Sequence, residues 1–211
     1  MEILSFNTLP STQRYLIEGL RRGSLKAPVA VIADQQTKGI GSRDNEWSGG
    51  RGNFFASIAL SLEDLPEDLP LGSASIYFSF VMKKLLGEFD KNIWLKWPND
   101  FYKSDQKVGG TITQKVGNIL VCGIGINLKN AENGYKSLQC ELAADIVLEK
   151  YISALEKVPK WKQVFREYEI EFELSRKFSA HVENRKVSLE EAVLLEDGSL
   201  LIEEIKVYSL R

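Results

Sequence analysis

The stretch KVGGTITQKVGNILVCGIGINL, residues 107–128, decides the fold. Apolar runs of strand length flank Lys115-Val116-Gly117-Asn118, which carries the residue types of a tight hairpin turn. Lys107 to Val116 and Asn118 to Leu128 are therefore predicted strands, and strands joined this closely run antiparallel. Gly123 and Gly125 lie inside the second strand. Glycine weakens a strand interior, so close approach by a ligand or another backbone is expected there.

Outward from this hairpin, Ile93 to Trp97 reads as a preceding strand. Ile76, Phe80, Val81, Leu85 and Leu86 follow a helical repeat, which predicts a helix over Gly72 to Phe89. Glu63 to Pro70 is a proline-broken acidic linker, read as a solvated surface turn. Phe54 to Leu62 and Pro28 to Ala33 are strands, and the polar, glycine-punctuated stretch between them, Asp34 to Arg51, reads as a long functional connection. Tyr15, Leu16 and Leu20 predict a helix from Ser11 to Arg22 with Ser11 as N-cap, after a first strand over Met1 to Phe6. Leu138 to Phe172 reads as helical with an interruption near Pro159. Beyond Lys177 short alternating runs begin, with Asp197-Gly198 as a hairpin turn. This change divides the chain into a unit over 1–174 and a small β unit over 175–211.

With 211 residues, 44% of them hydrophobic, the chain can bury one substantial core plus a small appended module. Lys and Arg number 27 against 29 for Asp and Glu, and a formal charge of -2 argues against a nucleic-acid surface. Cys122 sits in an apolar run as a buried thiol, so a reducing compartment without a disulfide framework is expected. Neither a leader pattern nor 18 uninterrupted apolar residues occur, which makes the cytoplasm the default location. Cys140 has no ligand-spaced partner for zinc, and the single histidine, His181, needs no acid–base role.

Four short clusters carry the chemistry: Ser11-Thr12-Gln13, Gln36 to Trp47, Lys96 to Asp100 with Lys107 to Gly110, and Gly123 to Asn127. Together they resemble the catalytic domain of biotin–protein ligases in motif order over about residues 8–130. Lys96-Trp97-Pro98-Asn99-Asp100 is that family's KWPND string unchanged, and Lys107-Val108-Gly109-Gly110 matches its K-x-x-G. Gln36 to Trp47 aligns without gaps to Q-x-x-GRGRRGR-x-W, but Ile40, Ser42 and Asn45 occupy arginine positions and only Arg43 remains. Ser11-Thr12-Gln13 corresponds to S-T-N, Gly52 to Ser57 to G-N-L-Y-x-S, and Gly123 to Asn127 to G-x-G-I-N.

The resemblance implies that Lys107 lies against the biotin carboxylate and the α-phosphate of ATP, where a cation stabilises two converging anions. Lys107, Arg43 and Asp100 are its implied catalytic residues. Biotin binding falls to Ser11, Thr12, Gln13, Gln36, Gly39, Ile40, Gly41, Ser42, Lys107, Gly110, Gly123 and Gly125. Arg43, Trp47, Asn99, Asn127 and Arg211 are implied at the ATP. Ser11 is also an ordinary helix N-cap, and the two roles are compatible. Asn99 reads equally as a turn former, Trp97 as a packing anchor, and Arg211 as either a nucleotide contact or a frayed terminus. Asp100 is the candidate ligand for Mg²⁺, which takes oxygen donors together with phosphate oxygens and water. The glycines of the Gln36–Trp47 loop let backbone N–H groups approach a phosphate, while the missing arginines weaken its expected grip on the intermediate.

The implied fold is α/β (α+β): a mixed, largely antiparallel central sheet flanked by helices, as in class II aminoacyl-tRNA synthetases, with a small C-terminal SH3-like β-barrel. The strand pattern alone is compatible with it without singling it out. The implied substrates are biotin and ATP with Mg²⁺, and the implied partner is the biotin carboxyl carrier protein of a carboxylase, acetyl-CoA carboxylase first. No specific DNA and no membrane are expected, because the first motif begins at Ser11 and leaves no space for an N-terminal DNA-binding domain. The resemblance allows a homodimer. A lipoate–protein ligase shares the adenylate logic, but the intact KWPND and K-x-x-G strings argue against it. A biotin-binding regulator is the remaining alternative.

Overall fold

The computed structural model describes residues 1–41, 46–131, 136–182 and 185–208. In chain order the elements begin with β1 (Glu2–Phe6), α1 (Thr12–Arg21), β2 (Val29–Ala33), β3 (Gln36–Ile40), β4 (Glu46–Gly49) and β5 (Phe54–Ser61). Helix α2 (Ala74–Leu86) follows, then β6 (Ile93–Lys96), β7 (Asp100–Lys103), β8 (Gln106–Val116) and β9 (Ile119–Ile126). Helices α3 (Ala144–Leu155) and α4 (Trp161–Phe172) precede β10 (Ser179–Val182), β11 (Arg185–Ser188), β12 (Val193–Leu194), β13 (Leu200–Ile202) and β14 (Ile205–Val207).

Seven strands form the central sheet in the order β1-β2-β5-β9-β8-β7-β6. Only β1 and β2 are parallel, joined through α1. The predicted β8–β9 hairpin is its centre, and Gly117 at the turn takes φ +58°, where glycine avoids the Cβ clash of other residues. Side chains alternate across the sheet, so its two faces bury different sets. Leu16 and Ile17 of α1 pack with Val29, Val31, Ala59 and Val121 on one face. On the other, Ala56, Ile58, Cys122 and Ile124 meet Tyr77 and Phe80 of α2, Tyr151 of α3 and Tyr168 of α4.

The β6 edge is covered from α4 and the turn after it. The Leu95 N–H donates to Glu171 Oε1 at 2.6 Å, and Lys83 pairs with the same carboxylate. Burial pushes the Glu171 carboxyl above its usual range against the opposing pull of Lys83.

Three elements differ from the sequence reading. The connection expected over Asp34 to Arg51 contains the β3–β4 pair. Its strands are held by backbone bonds, including Leu9 N–H to Gln35 O at 3.1 Å and Thr37 N–H to Leu9 O at 3.0 Å, so apolar alternation is not needed to form them. Strand β7 went unpredicted because it is four residues long and a bulge at Phe101/Tyr102 breaks its register. Residues 138–143 are not helical: Leu138 N–H donates to Asn127 O at 2.8 Å and Cys140 N–H to Leu128 O at 2.9 Å, tying the segment to the end of β9.

The C-terminal strands form a β10–β11 pair and a β12–β13–β14 sheet, which hydrogen bonds among the described residues do not join into one closed barrel. Buried Ala180, Leu200 and Ile202 of these strands, with Leu189 and Ala192 between β11 and β12, belong to the same apolar cluster as α2 and α4. Among the described residues no helix is long and apolar enough to cross a membrane.

The acidic linker has a structural task. Asp68 accepts the N–H groups of Trp161 and Lys162 at 3.0 Å each, capping the first turn of α4. Burial raises its carboxyl, but these N–H donors outweigh that effect and hold it below the usual carboxylate value. A lowered folded value means stabilisation present above the unfolded value and lost as pH falls through the folded one. Asp68→Ala should therefore lower the unfolding free energy by about 1 kcal/mol near neutrality. Urea titrations at decreasing pH should show the gap to wild type closing through the carboxylate range; a pH-independent gap would contradict the cap.

Candidate functional site

The site begins where two glycines remove side chains from the middle of β9. Gly123 pairs with Ser57 of β5 and Ile112 of β8, while Gly125 pairs with Phe55 and Gly110. Both glycines point to the face that carries α1, and they leave a trough beyond the N-terminus of that helix. A Cβ on Gly123 would stand 2.5 Å from Gln13 Oε1, and one on Gly125 would stand 2.5 Å from Trp47 Nε1. The trough is therefore filled by an amide from α1 and an indole from β4.

The end above Gly123 is polar and uncharged. Ser11 caps α1 by accepting the Arg14 N–H at 3.3 Å. Gln36 Oε1 accepts the Thr12 N–H at 2.7 Å and the Thr12 hydroxyl at 3.1 Å, which satisfies one of the free donors of the helix start. The Thr12 hydroxyl also lies 2.9 Å from Ser57 Oγ. Both polar atoms of the Gln13 amide are buried without a hydrogen-bond partner among the described residues. A buried amide in that state loses its water without replacement, so it is poised for a ligand offering a matching donor and acceptor.

The end above Gly125 and Gly110 is charged. Lys107 Nζ lies 2.7 Å from Asp100 Oδ1 and 5.8 Å from the centre of the Trp47 ring. Lys96 approaches Asp100 Oδ2 at 3.9 Å. Strands β6 to β8 fold back on one another to bring these three residues together, with Asp100 opposite Gly110 in register. A cis Trp97–Pro98 bond precedes Asn99, whose side-chain amide donates to Thr111 O while the Thr111 N–H donates to Asn99 O at 2.9 Å. Asp100 does not fit a protein-held magnesium site, because its carboxylate oxygens already face two ammonium groups. A cation there would have to arrive with the oxygens of a ligand.

Most of the sequence-predicted residues converge on this cleft. Ser11, Thr12, Gln13, Gln36, Ile40, Gly41 and Trp47 line it together with Asn99, Asp100, Lys107, Gly110, Gly123 and Gly125. Gly39 lies against the Trp47 backbone just outside the lining, where a Cβ would clash with that carbonyl. Asn127 is also outside the lining; its amide donates to Lys136 O at 3.3 Å beyond the end of β9. Ser42, Arg43 and Arg211 lie outside the described residues. The sequence reading missed Ser57, Thr111, Ile112 and Ile124 as individual lining residues. Strand alternation could have found Ile112, two residues from Gly110, but the Ser57–Thr12 contact spans two elements distant in sequence.

The model of the biotin/lipoate A/B protein ligase family matches residues 5–130. The chain belongs to this family. As a member of the biotin/lipoate ligase family it closely resembles the crystal structure of biotin acetyl coenzyme A carboxylase synthetase from Helicobacter pylori with bound biotinylated ATP. That match has 39% identity and a TM-score of 0.93, and covers 98% of this chain and 99% of the other. The bifunctional ligase/repressor BirA of Escherichia coli is 33% identical over 127 residues, 57% of this chain and 38% of that protein. The aligned region thus spans about two fifths of that curated relative's length. The biotin protein ligase of Aquifex aeolicus in complex with biotin and ATP shares the fold, with a TM-score of 0.78 at 23% identity, over 98% of this chain and 94% of the other.

Gly125→Ala should push the Trp47 indole out of the trough. Trp47 is less buried than Trp94, Trp97 and Trp161, so its displacement should shift tryptophan emission to the red. Unchanged emission would show that the trough has room for a methyl group.

Proposed function

We propose that the chain is a biotin–protein ligase: it joins biotin to ATP as biotinyl-5′-AMP with release of pyrophosphate, then passes biotin to a lysine of a biotin carboxyl carrier protein. The observation that carries this reading is the two-ended cleft on the glycine floor. Its uncharged end offers Ser11, Thr12, Gln13, Gln36 and Ser57, and its charged end offers Lys107. Biotin has the same polarity, with a neutral ureido ring at one end and a carboxylate at the other. Ile40, Ile112 and Trp47 supply apolar wall between them. The Helicobacter pylori protein, so similar over its whole length, holds biotinylated ATP.

In the first step a biotin carboxylate oxygen attacks the α-phosphorus, and the bond to the pyrophosphate oxygen breaks. Both reactants are anionic, so the Lys107 ammonium must exchange Asp100 for the converging oxygens. Lys96 stays beside Asp100 and takes up the carboxylate that Lys107 leaves. In the second step a neutral carrier lysine attacks the anhydride carbonyl carbon, and AMP departs. The β3–β4 pair brings Ile40, Gly41 and Trp47 over the cleft, where they exclude water that would hydrolyse the anhydride. Magnesium enters as the counter-ion of ATP, as part of the substrate. The acetyl-CoA carboxylase carrier domain is the proposed acceptor; a relative from Paracoccus denitrificans, 30% identical over 111 residues, is named a biotin–[acetyl-CoA-carboxylase] ligase. Two free cysteines, one buried, suit the proposed cytoplasmic location.

The chain supplied with ATP, magnesium, biotin and a purified carrier domain should add one biotin to one acceptor lysine, read by intact mass. ATP–pyrophosphate exchange should run with biotin and not with lipoate; exchange with lipoate alone would overturn the assignment. Lys107→Ala should slow exchange by roughly a hundredfold or more, as for loss of one charge-stabilising donor. Near-normal exchange in that variant would remove Lys107 from the chemistry.

A further inference from the structure

Three consecutive backbone carbonyls in one turn of the C-terminal unit accept hydrogen bonds from three separate elements of the main body. At the start of α4, the Trp161 indole N–H donates to Glu196 O at 2.9 Å. Just before α2, the Ser73 hydroxyl donates to Asp197 O. Directly after β6, the Trp97 indole N–H donates to Gly198 O at 3.0 Å. The turn is stiff in itself. Gly198 N–H donates to Leu195 O at 2.8 Å, Leu195 N–H to Ser199 O at 2.9 Å, and Lys206 pairs with Asp197 at 2.8 Å. Gly198 sits at φ +78°, and a Cβ there would come within 3.0 Å of Trp161 Cη2 and close on Ser73 as well. Nothing larger than glycine fits between the donors.

One of these donors adjoins the cleft. Trp97, only 1% exposed, leads directly into Pro98-Asn99-Asp100. Its backbone N–H donates to Ser175 Oγ at 3.1 Å, so both its main chain and its ring are held by residues from 175 onward. From there the order passes along a short path. Asn99 exchanges hydrogen bonds with Thr111, and Asp100 meets Lys107 at 2.7 Å. The opposite end of the cleft is organised independently, through Thr12, Gln36 and Ser57.

We infer that Trp97 is a positioning residue: through its bonds to Gly198 and Ser175, the C-terminal unit sets the Pro98–Asp100 segment against Lys107 for the nucleotide. The inference rests on reading the charged end of the cleft as the place where ATP meets the biotin carboxylate. A small displacement of a positioned group weakens binding and rate far more than the size of the movement suggests. Trp161→Phe provides the comparison, because it removes an indole donor to the same turn from a helix that does not enter the cleft.

The test measures ATP–pyrophosphate exchange and thermal midpoints for wild type, Trp97→Phe and Trp161→Phe in the full chain. Both variants should lose thermal stability to a similar degree. Of the two, only Trp97→Phe should raise the KM for ATP, by about five- to tenfold as for one lost hydrogen bond, and by clearly more than the KM for biotin, whose uncharged end is held separately through Thr12, Gln36 and Ser57. Ser175→Ala should give the same ATP-selective rise, and it carries the test if Trp97→Phe does not fold. Equal KM values for ATP in the two tryptophan variants, or a matching rise for biotin, would reduce Trp97 to a packing residue. Wild-type chain that fails to exchange with biotin would instead overturn the biotin assignment. Calorimetric titration of ATP into the same chains decides the positioning role whatever acid the cleft takes.

Discussion

The pairing of β8 with β9 places Gly110 beside Gly125 and Ile112 beside Gly123, and the rest of the site depends on the side chains missing there. Central strands normally fill both faces with side chains. Here one face is left with a shallow trough, and only partners from other elements can occupy it. Gln13 enters from α1 and Trp47 from β4, each at a distance that a single Cβ on the floor would forbid. The glycines lower the stability of the strand itself, and its long ladders to β5 and β8 make up for this with continuous backbone pairing.

Around that floor the two ends of the cleft are stabilised by different physics. At the neutral end, a helix start leaves backbone donors unsatisfied, and Gln36 and Ser11 absorb two of them while Gln13 keeps its amide unpartnered among the described residues. At the charged end, Asp100 holds Lys107 and lies near Lys96 in a half-buried arrangement. Two cations on one carboxylate leave a local excess of positive charge, which suits an anionic ligand better than a bare metal ion. The same constellation keeps Lys107 folded toward the cleft before any substrate arrives.

The C-terminal unit is tied to this arrangement by hydrogen bonds as well as by apolar packing. Its buried side chains share the main core, and one of its turns receives donors from the α2, β6 and α4 regions at once. A segment anchored in this way cannot shift without disturbing Trp97. Hydrogen bonds thus join Trp97, which leads into Pro98-Asn99-Asp100, to the turn at Gly198, although the two lie about a hundred residues apart in the chain.

Local patterns carried much of this in the sequence. The β8–β9 hairpin, α1 with its Ser11 cap, and the strings around Lys96–Asp100 and Lys107 could all be read from spacing, because tight turns, helix caps and strand periods are settled by neighbouring residues. Strands β3, β4 and β7 could not, since they are short, carry register shifts and are formed by backbone pairing to their chain neighbours rather than marked by apolar alternation. Nor could the linker's Asp68 be recognised as the cap of α4, or Ser57 as the partner of Thr12. By itself the sequence determined which residues bear charge, which positions lack a Cβ and where the chain turns. Only the tertiary structure decided that Gln13 and Trp47 fill the space those glycines leave, and that Gly198 restrains Trp97, because such contacts require distant elements to meet in register.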